Sequence, residues 1–302
     1  MANPECEYTL AVMHAAAARG SRRARSAGAA ALAFAACFAA GPLRADPAPA
    51  PGAVELRVVT YNTHGLPAWI ARDDPERRFP VIGKLLDAYD LAVVQEDFFH
   101  HELLLGAISL PLRARGNERS GLTTLARLPA TALVEAQAEP YGICSGWLFG
   151  ANDCLGDKGF LRTRIAFANG ARVDFVNTHL DAGRDDADRA ARRAQLEILA
   201  ERLRRASASV PLVVGGDLNL HHDDPGDRAL LAGFSSALGL TDSQAVPAPG
   251  SGWERIDYLL YRSGDGAALE VLEAGMAAEF VHDGAPLSDH PALWARLRVV
   301  AR

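Results

Sequence analysis

The chain has 302 residues, 49% hydrophobic and 23% charged, a composition that fits a folded globular protein and excludes a disordered or fibrous one. Its formal charge of −6 provides no surface-wide basic field for gripping nucleic-acid phosphates, although a local patch would serve a nuclease. Basic residues are almost all arginine, so the two lysines, Lys84 and Lys158, stand out.

In chain order, residues 1–45 read as a secretion signal. Arg22, Arg23 and Arg25 form a basic start, Ala27 to Ala40 a small apolar run, and Gly41-Pro42-Leu43-Arg44-Ala45 a small-residue exit with cleavage expected near Ala45. The run is too short to span a bilayer reliably. Met13 is an alternative start, and Phe34-Ala35-Ala36-Cys37 loosely resembles a lipobox, so anchoring at Cys37 is the alternative to free release. Secreted or periplasmic residence follows. Residues 46–53, rich in Pro and Ala, form a flexible lead-in. Residues 54–302 contain no linker that splits them and read as one domain. Cys6 and Cys37 belong to the export segment, which leaves Cys144 and Cys154. Two cysteines this close in an oxidising compartment read as one disulfide, with free buried thiols as the alternative.

Val54 to Tyr61 is rich in β-branched residues and predicts a strand that delivers Asn62-Thr63-His64-Gly65-Leu66-Pro67. Phe79, Ile82, Leu85, Leu86 and Tyr89 make a helical stripe over Glu76 to Tyr89. Leu91 to Val94 is a short buried strand ending at Gln95-Glu96-Asp97, and Gly121 to Leu128 a third strand. Lys158 to Ala168 alternates as a strand, turns at Gly170-Ala171, and returns through Arg172 to Val176 into Asn177-Thr178-His179-Leu180. Asp185 to Arg205 predicts a long helix with Leu196, Leu199 and Leu203 inward. Val213-Val214-Gly215-Gly216-Asp217-Leu218-Asn219-Leu220 is a strand running into a turn, with Asp217 and Asn219 on one face. His221-His222-Asp223-Asp224 reads as a solvated loop after it, with an extra metal contact as the alternative. Strands at Ile256 to Tyr261, carrying Asp257, and near Leu269 to Leu272 precede Ser288-Asp289-His290-Pro291 and a last strand, Leu293 to Val299. Hairpins and helical crossovers alternate, which implies packed mixed sheets flanked by helices.

A polar residue at one strand end is an ordinary turn former. Here Asn62, Glu96, His179, Asp217, Asn219 and the Asp289-His290 pair all follow apolar strands, where α/β sheets bind ligands. The succession Tyr-Asn, Gln-Glu, Asn-Thr-His-Leu, Gly-Asp-x-Asn, Ile-Asp-Tyr and Ser-Asp-His-Pro resembles the endonuclease/exonuclease/phosphatase superfamily. That resemblance, over about Val54 to Val300, implies an α/β fold: a four-layer α/β/β/α sandwich of two packed mixed β-sheets. It also implies metal-dependent hydrolysis of a phosphodiester by in-line attack of water. Within it, Glu96, Asn62 and Asp289 are the expected ligands of Mg²⁺, or Mn²⁺ in its place, because oxygen donors suit a hard cation. His290 is the expected general base, with Asp257 fixing its tautomer. Asp217 and Asn219 orient water and phosphoryl oxygens, and His179 serves the phosphate or the leaving group.

The segment from Cys144 to Phe160, with Asp157-Lys158-Gly159, is similar to a loop of the neutral sphingomyelinase branch, where an Asp and a Lys-Gly pair lie near the site. It implies Asp157, Lys158 and Asn177 as substrate-binding residues. Trp147, Leu148 and Phe149 form an apolar knob that either meets a lipid interface or packs inward. The expected protein is an exported, monomeric, sphingomyelinase-like phospholipase C acting on a lipid headgroup. A secreted nuclease or another phosphodiesterase or phosphatase with the same site is the alternative.

Overall fold

The computed structural model describes residues 52–146, 154, 156–244 and 254–302. Residues 1–45, expected to be an export signal, and Trp147-Leu148-Phe149 lie outside the described residues. The chain runs β1 (Ala53–Asn62), α1 (Ala68–Ala71), α2 (Pro75–Leu86), β2 (Leu91–Gln95), α3 (His101–Gly106), β3 (Leu112–Arg115), β4 (Thr123–Ala126), β5 (Leu133–Pro140) and β6 (Gly159–Ala166). It continues through β7 (Arg172–His179), α4 (Asp186–Ala206), β8 (Leu212–Asp217), α5 (Pro225–Leu238), β9 (Thr241–Asp242), β10 (Asp257–Arg262), β11 (Ala267–Met276), β12 (Val281–His282), β13 (Ala285–Pro286) and β14 (Leu293–Ala301).

One six-stranded sheet has the order β11-β14-β1-β2-β4-β3 and the other β5-β6-β7-β8-β10-β9. Each contains a parallel pair near its middle, β1 with β2 and β7 with β8, and antiparallel neighbours around it. Parallel pairing requires a crossover, which α1 and α2 provide in one sheet and α4 in the other. Both pairs therefore end together, and their four carboxyl ends carry Asn62, Gln95, His179 and Asp217.

Apolar residues of both sheets meet between them: Val58, Leu91 and Val93 from one, Val173, Phe175, Val213 and Leu259 from the other. Gly215 permits this close approach, since a Cβ there would lie 2.8 Å from Val93 Cγ2. The outer face of the first sheet packs Val59, Tyr61 and Val94 on Phe79, Ile82 and Leu86 of α2. The outer face of the second packs Val176, Val214 and Leu260 on Leu196, Leu199 and Leu203 of α4 and Phe234 of α5. The result is the expected four layers. Each fully buried Leu, Ile or Phe contributes roughly 1.5–3 kcal/mol.

Element ends follow local chemistry. Asp185 and Asp188 form a reciprocal capping box at the start of α4, with Arg204 and Arg205 in its last turn. The α2 stripe stops at Leu86 instead of Tyr89, because Ala88 and Tyr89 turn back onto the Leu85 and Leu86 carbonyls. Tyr89 stays buried nonetheless. The helix α5 is absent from the elements expected above, although Asp224 caps it, Pro225 starts it, and Gly239 ends it at φ 68°. The short strand β3 and the largely exposed β5 are equally absent from them. Cys144 and Cys154 form the expected disulfide, with Cα atoms 5.3 Å apart. Among the described residues, no helix is long and apolar enough to cross a membrane.

Candidate active site

The rim formed by the parallel strand ends is held under strain. Glu96 has φ 59°, Asn219 φ 48° and His64 φ 51°. Asn adopts this left-handed region readily, but Glu does so at a cost of order 1–3 kcal/mol, so the surrounding structure must enforce it. Gly65 helps explain how: its backbone lies so close that a Cβ would come within 2.0 Å of the Glu96 carbonyl oxygen. The next residue after β2 is thereby turned inward.

Asn62 links the two sheets at the rim. Its Nδ2 donates to Glu96 Oε1 at 3.1 Å and to Asp217 Oδ2 at 3.0 Å, while its Oδ1 accepts from the His64 amide at 3.0 Å. Asp217 Oδ1 accepts from the Asn219 amide at 2.9 Å, and Asn219 Nδ2 donates to the Leu180 carbonyl at 3.0 Å. His179 Nε2 lies 3.3 Å from Asp217 Oδ2, 3.8 Å from Glu96 Oε1 and 2.6 Å from Lys158 Nζ. In its neutral state that nitrogen accepts from Lys158; protonated, it donates to Asp217.

Register places Asp257 of β10 directly opposite Asp217 of β8. Asp257 Oδ2 then meets His290 Nδ1 at 2.8 Å, leaving His290 Nε2 facing Asp217 Oδ2 at 3.8 Å. Because His290 precedes β14 of the other sheet, this pair straddles the two sheets. Burial opposes charge on His290, but the Asp257 and Asp217 carboxylates outweigh it and push the imidazole up to about 10. Burial raises the Asp257 carboxyl to about 6 against the pull of His290. Burial also works to raise Asp217, yet His290, His179 and Lys158 hold it well below the usual carboxylate range. The two carboxylates thus flank the His290 ring, one at each nitrogen.

Three buried atoms here lack a hydrogen-bond partner among the described residues: Glu96 Oε2, Asp257 Oδ1 and His179 Nδ1. Buried carboxylate oxygens are rarely left unpaired. A hard cation beside Glu96 would satisfy one of them and fits an oxygen-rich donor set.

Asn62, Glu96, Lys158, His179, Asp217, Asn219, Asp257 and His290 therefore converge. Three expected residues do not. Asn177 is fully buried beneath the rim, donating to the Val94 and Thr123 carbonyls at 2.8 and 3.0 Å and accepting from Gln95 at 2.7 Å. It ties the sheets together and is not available to substrate. Asp157 turns to Arg119, 3.8 Å away. Asp289 is 60% exposed and faces His64 Nδ1 at 3.2 Å instead of the Glu96 carboxylate. Two residues without an assigned role do belong here. Ser288 donates to the Asn62 carbonyl at 2.7 Å and accepts from the His290 amide at 3.2 Å, fixing the His290 loop on β1. His64 bridges Asn62 and Asp289, and its bond to Asp289 raises its imidazole above the ordinary value against burial. Ser288 was legible in Ser-Asp-His-Pro; His64 had no signal beyond following Asn62.

Two mixed sheets between helices, with acids, amides and imidazoles gathered at the ends of their parallel strands, define an α/β/β/α sandwich with a polar, ionisable rim. Residues 59–290 match the endonuclease/exonuclease/phosphatase family, and the chain belongs to it. A sphingomyelinase of Mycobacterium bovis is 29% identical over 264 residues, covering 78% of this chain and 51% of the relative. The chain thus spans about half the length of the curated relatives it matches. Among solved structures, a Staphylococcus aureus beta toxin mutant with bound magnesium ions aligns at TM-score 0.61 and 18% identity, covering 80% of this chain and 99% of that one. A humanized D. rerio TDP2 aligns at 0.62 and 18%, covering 80% and 98%. These likenesses show the fold.

Proposed function

We propose that this protein is an exported, divalent-cation-dependent phospholipase C of the sphingomyelinase type, cleaving the phosphodiester of a lipid headgroup by in-line attack of water. The observation that carries the reading is the His290–Asp257 pair facing Asp217, on the same rim as a strained Glu96 with an unpaired buried oxygen. Sphingomyelinase relatives support the lipid substrate, and magnesium in a fold neighbour supports the cation.

Glu96 would hold the cation, with Asn62 steadying its carboxylate through the 3.1 Å bond. The bound cation would neutralise phosphate charge and stabilise the developing alkoxide. Asp257 locks the His290 ring so that Nε2 faces the cleft and takes the proton of the attacking water. Asp217 and Asn219 orient that water and the phosphoryl oxygens. Lys158 and His179 lie side by side as donors for phosphate oxygens or the leaving group. Residues 54–302 act as the catalytic domain and residues 1–45 as the export signal; the Cys144–Cys154 disulfide suits an oxidising compartment. Trp147, Leu148 and Phe149 serve as a lipid contact.

The test is release of phosphocholine from sphingomyelin vesicles beside nicking of supercoiled plasmid, each with Mg²⁺ and with chelator. Cation-dependent phosphocholine release is the expected outcome. Nicking without lipid turnover would assign the site to a nuclease.

A further inference from the structure

Beyond the rim, one other group of donors converges among the described residues. The ligand atoms of His221, Asp223 and Glu254 all lie within 4.8 Å of one another. His221 departs from the expected solvated loop: it is only 8% exposed. Its amide donates to Asp227 Oδ2 at 3.1 Å, which draws the residue inward. Its Nδ1 sits 2.7 Å from Glu254 Oε1, yet makes no hydrogen bond to any described residue. The ring nitrogen and the acid oxygen thus stand side by side without a hydrogen bond between them.

We propose that His221, Asp223 and Glu254 form a second cation site, separate from the catalytic rim, for a borderline divalent ion of the zinc type. One imidazole and two carboxylates suit such an ion better than magnesium, which prefers an all-oxygen shell. Tetrahedral zinc imposes a donor spacing of about 3.4 Å, so the three groups must draw together when it binds. Arg184 now pairs with the Glu254 oxygen and is 56% exposed; it is the counter-ion that the metal displaces. The site also has a mechanical setting. The Leu218 amide donates to the Ile256 carbonyl at 3.1 Å and the His222 amide to the Arg255 carbonyl at 3.0 Å. A cation joining His221 to Glu254 adds a tie between the same two segments, just ahead of Asp257.

Titration of ZnCl₂ calorimetrically into the full folded chain, with magnesium in excess, tests this. Wild type should show a zinc-binding step that raises the melting temperature. Both His221→Ala and Glu254→Gln should weaken that step by about tenfold or more, a loss that even outer-sphere partners of a metal produce. Arg184→Gln should tighten it. Glu254 is 54% exposed, so Glu254→Gln leaves the fold intact even if His221→Ala does not. Equal zinc affinity in wild type and Glu254→Gln would overturn the proposal. So would a zinc step that survives Glu254→Gln but disappears in Glu96→Gln, since the metal would then sit at the rim.

Discussion

At the scale of single residues, the rim depends on groups whose neighbours set their charge. His290→Ala should lower turnover by about 100- to 10,000-fold and also lower the melting temperature, because it removes the proton carrier and leaves the buried Asp257 carboxylate without its partner. Phosphocholine release and thermal unfolding check the two halves of that expectation. Glu96→Gln keeps the shape and the Asn62 contact but removes the charge, so more Mg²⁺ should be needed for half-maximal rate; an unchanged titration would remove Glu96 as the ligand. Residue identity alone could not separate Asn177 from His179. Both follow the same parity on β7 and face the other sheet. One lies a step deeper, where Gln95 and two carbonyls from the opposite sheet consume its amide. That partner set is non-local, and no spacing within the strand announces it.

At the scale of elements, the strands that matter most for function were the easiest to read. β1, β2, β7 and β8 each carry a run of β-branched and other apolar residues and stop at polar ones, so their exits were visible. β5 was not, since its pattern is mostly exposed and charged. The helix α5 was hidden by the acidic, histidine-rich run before it, although its Asp-Pro start and Gly end were present. Two predictions belong at this scale. Gly65→Ala should cost about 1–3 kcal/mol and reduce activity as well, because the added methyl must push the Glu96 backbone aside; denaturant titration beside an activity assay measures both. Replacing Cys144 and Cys154 together with Ser should cost about 2–3 kcal/mol by releasing a short loop in the unfolded chain. Denaturation in non-reducing buffer gives that difference directly.

At the scale of the whole molecule, the sequence motifs pointed to the layered architecture, but not to which strands neighbour which. The order within each sheet depends on β14 returning beside β1, and on β10 lying against β8. The proposed lipid substrate is tested at this scale too. Trp147→Ser with Phe149→Ser should weaken sedimentation with sphingomyelin vesicles while sparing hydrolysis of a soluble phosphodiester. Equal loss in both assays would mean that these side chains support the interior.

The proton-carrying pair has one acid on β10 and its imidazole just before β14, in the opposite sheet. Neither layer therefore owns a working centre. A partly assembled chain, with each sheet paired within itself but the layers not yet closed, would show nearly full β signal in circular dichroism and cut nothing. Enzymatic competence in this protein is a property of closure, so it should return during refolding only when the last gap between the layers shuts.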